Sequence, residues 1–546
     1  MAESVEGAKT PASASVFVRQ ATGLVRELSW FDTFIMVFAI LNVPLGLTEV
    51  AAFATGSNAF PSANMPLAFI FSAPAMLTIG MVYALFTAAM PRSGGDYVWT
   101  SRVLHPSIGF GVNFFVTFIL LSSAGLNSLL MATWFLPPVF HIMGWDAAAQ
   151  FSSDTTGYGA ILVGTVVTLL LLGVFLLGLR RVRQIMFGLF VFIMAGTILW
   201  MALLFILPHS DFVLQFNANQ GSGAYQSVLA TATKAGFQIL PTAVFLNTFS
   251  AVIYAFQSYN GFQNSGYFSG EIKQAPSSAM RAMIAALIFG AIGFSLGMLA
   301  IYHYYGQDFI GALATNGLVF PNSSALPFAA VMPSLGLFVT DNPIIHLIIA
   351  LTFLAAIFWI QPPAVLIATR NLFAWSFDRL LPGRIADVND RLHSPVFATI
   401  IVAIVIELFT WITIKTSYFG NLLGLAGFSA LVGVIVSFAA VIFPYRRPDI
   451  FEKAPAIVRG RFLGVPAITI WGALSMIVNG VLCYIAFTSP VFGGNPNVFD
   501  PTFLKGLFFS ALGIIIPALL YFVSRAITRN TRHLDIAQAY KDIPPE

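Results

Sequence analysis

Long apolar runs separated by polar gaps dominate the chain, and their lengths are those of membrane-spanning helices. A hydrocarbon core of about 30 Å requires about 20 apolar residues per helix. Twelve runs satisfy this requirement, and we number them as spans 1 to 12: residues 31–54, 66–90, 107–136, 158–179, 184–207, 241–268, 282–305, 343–373, 395–414, 421–443, 466–488 and 503–525. The pattern therefore predicts an all-α integral membrane protein with twelve transmembrane helices.

The basic residues lie on one side of this arrangement. All Lys and Arg residues except Lys234, Lys415 and Lys505 fall in the terminal segments, in alternate gaps between spans or, for Arg370 and Arg525, at the span ends that adjoin them. Because cytoplasmic loops carry an excess of Lys and Arg, we expect these gaps to be cytoplasmic. The terminal segments, residues 1–28 and 526–546, both contain Lys and Arg and are both expected in the cytoplasm, which agrees with an even number of crossings. We expect the protein to reside in the plasma membrane.

The composition excludes a water-soluble protein and indicates no nucleic-acid binding, enzyme activity or metal binding. Hydrophobic residues make up 58% of the 546 residues and charged residues 9%, with a mean hydropathy of +0.85. The net charge of +4 is expected of basic loops beside anionic headgroups and indicates no nucleic-acid partner. The single cysteine, Cys483, lies in span 11 and is expected to pack as a small hydrophobe. With no nucleophile, phosphate-loop or metal motif in the sequence, we expect no enzyme activity, cofactor or metal site.

Spans 1 and 6 are interrupted by residues that do not suit a continuous helix in lipid. In span 1, Pro44 removes a backbone donor and Gly46 relaxes the chain. In span 6, the polar stretch 257–264 would be costly in lipid unless it lined a cavity or met protein. We expect residues 42–46 and 257–261 to be non-helical and to lie side by side near the membrane midplane. Interruptions at matching positions of two five-helix sets indicate a transporter built from an inverted repeat.

Three motifs carry a resemblance to a known family. They are Met90-Pro91-Arg92-Ser93-Gly94-Gly95-Asp96-Tyr97 before span 3, Tyr259-Asn260-Gly261-Phe262 followed by Glu271-Ile272-Lys273, and Thr369-Arg370-Asn371-Leu372-Phe373 followed by Asp378-Arg379-Leu380-Leu381-Pro382. In this order they resemble the motifs of the amino acid–polyamine–organocation permeases, and the similarity extends over spans 1 to 10.

The resemblance implies a single transporter domain, residues 29–525, built as a five-plus-five inverted repeat. Spans 1–5 would form the first repeat (29–207), spans 6–10 the inverted second repeat (241–443), and spans 11 and 12 (466–525) would be additions. Spans 1, 2, 6 and 7 would form a bundle that moves against spans 3, 4, 8 and 9.

The resemblance also implies that a small-molecule substrate binds between the broken halves of spans 1 and 6. Backbone N–H groups near Leu45 to Leu47 would suit a carboxylate, and carbonyls near Phe256 to Ser258 would suit an ammonium group. The implied substrate-binding residues are Asn42, Val43, Pro44, Leu45, Gly46 and Leu47 in span 1 and Phe256, Gln257, Ser258, Tyr259, Asn260 and Gly261 in span 6.

This sequence departs from the family pattern at both breaks. The usual Gly-Ser-Gly of span 1 is replaced by the segment around Pro44, which removes one potential carboxylate donor. Gln257 stands where the family commonly has an aromatic gate, and Gln263 stands where it commonly has Glu. Either Gln257 contacts the substrate directly, or Phe256 or Tyr259 acts as the lid, and the sequence leaves both possibilities open.

Few ionisable residues are available for coupling or gating. No Lys or Arg occurs between Arg183 and Lys234, which closes the route through a lysine in span 5 that some relatives use, and span 8 lacks the hydroxyl pair of sodium-coupled relatives. Glu49 is a possible proton-coupling residue or else reaches outer water. Glu407 is expected to reach toward Lys415 or the interface. For an inner gate we expect two pairs, Arg26 with Asp378 and Glu271 with Arg370.

We therefore expect a secondary permease for amino acids or related small amines that works by alternating access. One alternative is a carrier or exchanger of polyamines or other organic cations, against which Gln263 in place of Glu argues. Another is a membrane sensor or channel with a transporter-like fold. The substrate, the coupling ion and the oligomeric state stay open at this level.

Overall fold

The computed structural model describes residues 24–319, 329–389, 394–416, 425–489, 497 and 499–544, and this part of the chain is almost entirely helical. Eleven of its helical stretches are long and apolar enough to cross a membrane. The helices that form these spans, in chain order, are Trp30–Leu41 with Val43–Phe53, Met65–Ala89, Pro106–Leu130 with Leu136–Ile142, Gly159–Leu176, Leu179–Ile206, Ala275–Tyr305, Pro343–Trp359 with Gln361–Phe377, Val396–Lys415, Leu425–Arg446, Ala467–Thr488 and Pro501–Arg532.

Span 6 is the twelfth expected crossing, and it consists of two pieces that are each too short to be counted by length. An α-helix, Val244–Tyr259, is followed by a turn and then by a 3-10 helix, Asn264–Glu271. Eleven long spans plus this broken one agree with the prediction of an all-α protein with about twelve spans and with interruptions in spans 1 and 6.

Short helices and one small hairpin connect the spans. The α-helices among them are Asp96–Val103, Asp146–Ser153, His209–Gln220, Ala224–Lys234, Gln307–Thr315, Met332–Leu335, Pro448–Phe451 and Ala456–Arg459; the 3-10 helices are Pro241–Ala243, Gly336–Phe338, Gly383–Ala386 and Ile536–Tyr540. The hairpin pairs strands Arg461–Phe462 and Val465–Pro466 antiparallel, with Phe462 opposite Val465.

The interruption of span 1 is shorter than expected. Only Asn42 leaves the helical conformation, with φ 48° and ψ 74°, and the second helix of the span begins at Val43. The expectation that residues 42–46 are unwound is therefore wrong for Val43, Pro44, Leu45 and Gly46. Pro44 lies in the first turn of the second helix, where its fixed φ and missing N–H are tolerated, and Asn42 adopts the left-handed conformation more readily than most residues.

The interruption of span 6 begins later than expected. Gln257, Ser258 and Tyr259 belong to the first helix, which ends at Asn260, and Gly261 follows with φ +113°. The expected non-helical segment 257–261 is thus confirmed only for Asn260 and Gly261. Gln257 and Ser258 have polar side chains but keep a helical backbone, so they do not end the helix. Gly261 has a positive φ that favours a residue without a Cβ, and the helix does not continue through it.

Two further spans depart from regular α-helix. Span 3 contains a π-helical segment, Met131–Phe135, between its two α-helices. Span 8 is interrupted at Ile360, because Pro362 and Pro363 offer no N–H to the preceding turn. Ile360 donates its own N–H to the Phe358 oxygen. This interruption leaves the main-chain oxygen of Ala356 free to accept a bond from another part of the molecule.

Candidate functional site

The two interruptions lie against each other. A Cβ atom built on Gly261 would clash with Cγ2 of Ile40, two residues before the break in span 1. A Cβ atom on Gly46 would lie 3.6 Å from Cβ of Ser258 and 2.6 Å from the ring of Phe294 in span 7. Spans 1 and 6 therefore approach each other on both sides of their breaks, and glycine permits the approach at each point.

Asn42 fixes the break in span 1 through both ends of its side-chain amide. Nδ2 donates to the Ala356 oxygen in span 8 at 2.5 Å, and Oδ1 accepts from the Leu45 N–H at 3.3 Å. Asn42 is 1% exposed. One buried side chain thus caps the second helix of span 1 and joins it to span 8.

The backbone donors expected to hold a carboxylate are already engaged. The Leu45 N–H bonds the Asn42 side chain, and the Gly46 N–H donates to the Asn42 oxygen at 2.9 Å. Leu47 is fully buried and points toward Gly297 of span 7. The expectation of free N–H groups at Leu45 to Leu47 is wrong for the first two of these residues, because the break is too short to unwind the helix turn that follows it.

A side chain that the sequence analysis treated only as a departure, Gln263, shapes the break in span 6. Its Oε1 accepts from the Gly261 N–H at 3.0 Å, and its Nε2 donates to Oδ1 of Asn260 at 3.0 Å. Gln263 is buried. An amide can supply an acceptor and a donor together, which an ionised Glu cannot. The polarity of the turn was visible in the sequence, but the way its side chains bond one another was not.

The expected site residues of span 6 differ in exposure. Phe256 and Tyr259 are buried, and the Tyr259 hydroxyl donates to the Phe69 oxygen in span 2 at 3.0 Å. Gln257 is exposed, while Ser258 is half-buried and donates to the Tyr254 oxygen at 3.0 Å. Tyr259 is therefore tied into the packing of spans 2 and 7, and Gln257 has the greater freedom to meet a ligand.

Glu49 lies in the second helix of span 1, three residues after Gly46. It is half-buried, and within the described part of the chain it forms no hydrogen bond or ion pair. Phe53, one turn further along the same helix face, packs its ring 5.7 Å from that of Trp134 in the π-helical segment of span 3. Glu49 thus lies one turn from this contact between spans 1 and 3. An unpaired carboxylate at this depth is unusual in a membrane helix.

A buried ion pair joins spans 6 and 8 beyond the breaks. Arg370 Nη2 donates to Glu271 Oε2 at 2.9 Å, and Arg370 Nε donates to Glu271 Oε1. Each side chain is 1% exposed. This is the pair expected from the sequence, and its two-bond geometry is the arrangement that suits a guanidinium and a carboxylate.

Asp378 has a different partner from the expected one. Its Oδ2 lies 2.8 Å from Arg102 Nη2 and accepts a hydrogen bond from the Tyr97 hydroxyl at 2.8 Å. The expected pairing with Arg26 is therefore wrong. Arg26 precedes span 1, whereas Arg102 and Tyr97 lie on the helix Asp96–Val103 that leads into span 3. Burial raises the pKa of Asp378, while Arg102 and the Tyr97 hydroxyl act in the opposite direction.

The motif before span 3 forms a second buried network that the sequence analysis did not assign. The carboxylate of Asp96 accepts from Asn113 Nδ2 at 2.6 Å and from the Tyr267 hydroxyl at 2.7 Å. Asn113 Oδ1 accepts from Trp375 Nε1 at 2.8 Å. Burial raises the pKa of Asp96 to about 6, and the two bonds to its carboxylate oppose that rise. In the sequence, the one signal that Asp96 has a structural role was its place in the motif before span 3 that carries the family resemblance.

Within the described residues, no group of three or more His, Cys, Asp or Glu is placed to hold a metal ion. Glu407, expected to reach toward Lys415, instead accepts from the Thr165 hydroxyl of span 4 at 2.6 Å. Lys415 donates to main-chain oxygens of residues 155–157. The expectation that Glu407 reaches toward Lys415 is thus wrong.

The helical fold, the adjacent breaks in spans 1 and 6 and the buried pairs beside them define a membrane permease with discontinuous helices. The chain belongs to the amino acid permease family of the amino acid–polyamine–organocation superfamily, because the family model described as amino acid permease matches residues 28–516. No curated protein matched the sequence. Membership places the chain among transporters of amino acids or related compounds.

Proposed function

We propose that this permease moves amino acids or related small amines across the plasma membrane by alternating access, with both termini in the cytoplasm. The observation that carries the proposal is the contact of the two breaks, Gly261 against Ile40 and Gly46 against Ser258, in a chain of the amino acid permease family. Discontinuous helices that meet at the midplane supply backbone polar groups where an apolar helix would offer none.

The proposed site differs from a carboxylate cradle made of span 1 N–H groups. The side chains of Gln257 and Ser258 and the main-chain oxygen of Asn260 supply the polar contacts on the span 6 side, and Glu49 supplies a negative charge on the span 1 side. A negative group favours the ammonium of a substrate. In this proposal Glu49 is also the residue whose protonation links transport to pH.

The inner gate in this proposal consists of the pairs Glu271 with Arg370 and Asp378 with Arg102. We call spans 3, 4, 8 and 9, against which the bundle is expected to move, the static group. The first pair connects span 6 of the bundle to span 8 of the static group. Opening toward the cytoplasm requires this pair to separate. A buried ion pair suits such a switch because its stability depends strongly on whether water reaches it.

Uptake of a panel of labelled amino acids into proteoliposomes tests the proposal. We expect uptake of at least one amino acid above that of empty liposomes, stimulated by a pH gradient in the parent and not in Glu49→Gln. Uptake of none of the panel by folded protein would refute the proposed substrate class.

A carrier of polyamines or other organic cations is the second candidate, and the unpaired carboxylate of Glu49 favours it. Competition separates the two functions. A zwitterionic amino acid should compete for uptake in the first case, whereas a diamine without a carboxylate should be the better competitor in the second.

A further inference from the structure

A segment close to the end of the chain is packed into the loops beside the inner gate. We call residues 535–544 the docked segment. Asp535 begins it by accepting from the Ala537 N–H at 3.0 Å, and both oxygens of Asp535 bond Arg525 at 2.8 and 2.7 Å. Ile536, Ala539 and Tyr540 within it are at most 5% exposed. The segment is therefore part of the folded body.

Tyr540 enters the gate network directly. Its hydroxyl lies 2.9 Å from the Tyr97 hydroxyl, and its ring centroid lies 4.8 Å from the guanidinium carbon of Arg102. Because Tyr97 donates its one hydroxyl proton to Asp378, the proton shared with Tyr540 comes from Tyr540. The order of donation is thus Tyr540 to Tyr97 to Asp378, an arrangement in which each bond polarises the next.

Three arginines from different parts of the chain hold the backbone of the docked segment. Arg447 Nη2 donates to the Lys541 oxygen at 2.6 Å, Arg102 Nε to the Asp542 oxygen at 3.5 Å, and Arg92 Nε to the Pro544 oxygen at 2.7 Å. Charged donors to carbonyl oxygens are among the stronger hydrogen bonds of proteins. These contacts do not depend on the side chains of residues 541, 542 and 544.

Two of these arginines belong to the two parts that are proposed to move against each other. Arg92 follows span 2, and its main-chain oxygen accepts from the Ser269 hydroxyl of span 6 at 3.0 Å. Arg102 precedes span 3 and pairs with Asp378 at the end of span 8. The docked segment therefore connects the end of the bundle to the end of the static group across the inner gate.

We propose that the docked segment is a component of the inner gate and that Tyr540 is a positioning residue, which acts through Tyr97 and Arg102 to hold the gate closed. The inference rests on the proposed function, since it assigns a regulator to the same alternating-access cycle. Asp378 shows why such help matters, because its Oδ1 has no hydrogen-bond partner within the described part of the chain. Release of the docked segment would favour opening toward the cytoplasm.

Labelling of one engineered cysteine tests this proposal. Cys483→Ala removes the single native cysteine, and Ser265→Cys places a thiol in the inner half of span 6, where Ser265 is buried and its hydroxyl has no hydrogen-bond partner in the described structure. The rate of maleimide labelling in lipid nanodiscs then reports inner-gate opening. Tyr540→Phe keeps the ring over Arg102 and removes the hydroxyl, and Tyr445→Phe, at an exposed position after span 10, is the matched control.

We expect labelling about 2- to 10-fold faster in Tyr540→Phe, the change that corresponds to one lost hydrogen bond, and an unchanged rate in Tyr445→Phe. Deletion of residues 535–546 should accelerate labelling further, and an added peptide of residues 533–544 should restore the slow rate. Restoration by a peptide distinguishes gate control from a damaged fold. Equal labelling in the parent, in Tyr540→Phe and in the deletion variant would overturn the proposal.

The labelling test of the docked segment and the uptake test of the proposed function can fail independently of each other. If the parent transports amino acids and the labelling rates do not change, only the role of the docked segment is wrong. If the labelling rates change as expected but the parent transports no amino acid, the docked segment controls the gate and the proposed function is wrong. Should the deletion variant fail to fold, Tyr540→Phe decides the matter on its own.

Discussion

The side-chain amide of Asn42 donates a hydrogen bond to the main-chain oxygen of Ala356 at 2.5 Å. The bond joins the break in span 1 to span 8, and it exists because both helices are interrupted at this level. Ile360, which in a regular helix would donate to Ala356, donates to Phe358 instead. The donor at the break in span 1 thus bonds the acceptor that the break in span 8 leaves open. This bond connects the bundle to the static group of the proposed transport cycle.

Asn42→Ala should weaken both stability and uptake. The variant leaves the buried Ala356 oxygen without its donor, removes the cap of the second helix and places alanine in the left-handed conformation. An unsatisfied buried acceptor alone costs about 1–3 kcal/mol. Thermal unfolding in detergent and uptake into proteoliposomes measure the two effects. Asn219→Ala is the control, because Asn219 is exposed and bonds within its own helix. Equal unfolding midpoints for the two variants would contradict this role of Asn42.

The number of spans and the two interrupted spans could be predicted from the sequence. The length of an apolar run, the side of the membrane on which Lys and Arg collect, and residues unsuited to a helix are each visible in a short stretch of sequence. The length of each interruption was harder to predict. Pro44 was interpreted as an unwinding residue, yet it begins a helix, because its effect depends on whether the turn before it is already broken. That turn is broken by Asn42, whose bond to Ala356 spans most of the chain.

The inner gate shows the same limit. Glu271 and Arg370 were expected to pair and do pair, since each lies at the inner end of a span. Asp378 was expected to pair with Arg26, and nothing in the sequence favours Arg102 over Arg26 as its partner. The choice depends on Tyr97, which lies on the same helix as Arg102, and on the docked segment, which packs against Arg102 from a region distant in the sequence. The terminal segment 526–546 was expected only to be cytoplasmic.

Gly261→Ala should abolish uptake. Gly261 has φ +113°, and an added Cβ would clash with Ile40. The left-handed side of the backbone map costs an L-residue about 1–2 kcal/mol before the clash is counted. Spans 1 and 6 would be pushed apart at the point where the substrate is proposed to bind. Initial rates of uptake at equal amounts of folded protein are the measurement.

Gly188→Ala in span 5 is the control for that experiment. Nothing lies within 4 Å of a Cβ at Gly188, which has an ordinary helical conformation. Alanine there should leave uptake unchanged and favour the helix by up to about 1 kcal/mol. Normal uptake by Gly261→Ala would show that the close approach of the breaks is not required for transport.

Glu271→Gln should destabilise the closed inner gate. Removal of one charge from a buried pair leaves Arg370 without compensation, and breaking such pairs costs about 3–5 kcal/mol. We expect faster labelling of Ser265→Cys and a lower unfolding midpoint. Glu452→Gln breaks an exposed pair with Arg461 and should change neither, since exposed pairs contribute little. No difference between the two variants would exclude the pair as a gate.

Asp96 should make stability depend on pH near its pKa. Its folded pKa of about 6 lies above the ordinary 3.8, so the folded state holds the proton more tightly than the unfolded state. The corresponding stability is fully present below about pH 3.8 and is lost as pH rises through about 6. Between pH 5 and 7.5 the unfolding midpoint should therefore fall.

Asp96→Asn should remove this part of the pH dependence, because it cannot titrate. Asp341→Asn, at an exposed position where the carboxylate accepts from the Gln215 amide, should retain the parent's dependence. Unfolding midpoints measured at a series of pH values decide the matter. A slope in Asp96→Asn equal to that of the parent would show that the carboxylate does not titrate in this range.

The transported substrate is proposed to bind between the breaks of spans 1 and 6, and substrate protection of a thiol at Ser258 tests this placement. Ser258 is half-buried beside Gly46, and Cys483→Ala supplies a background without other thiols. In an active Ser258→Cys variant, the transported amino acid at ten times its KM should slow maleimide labelling roughly tenfold. Uptake of that amino acid without any slowing of the labelling would contradict the account.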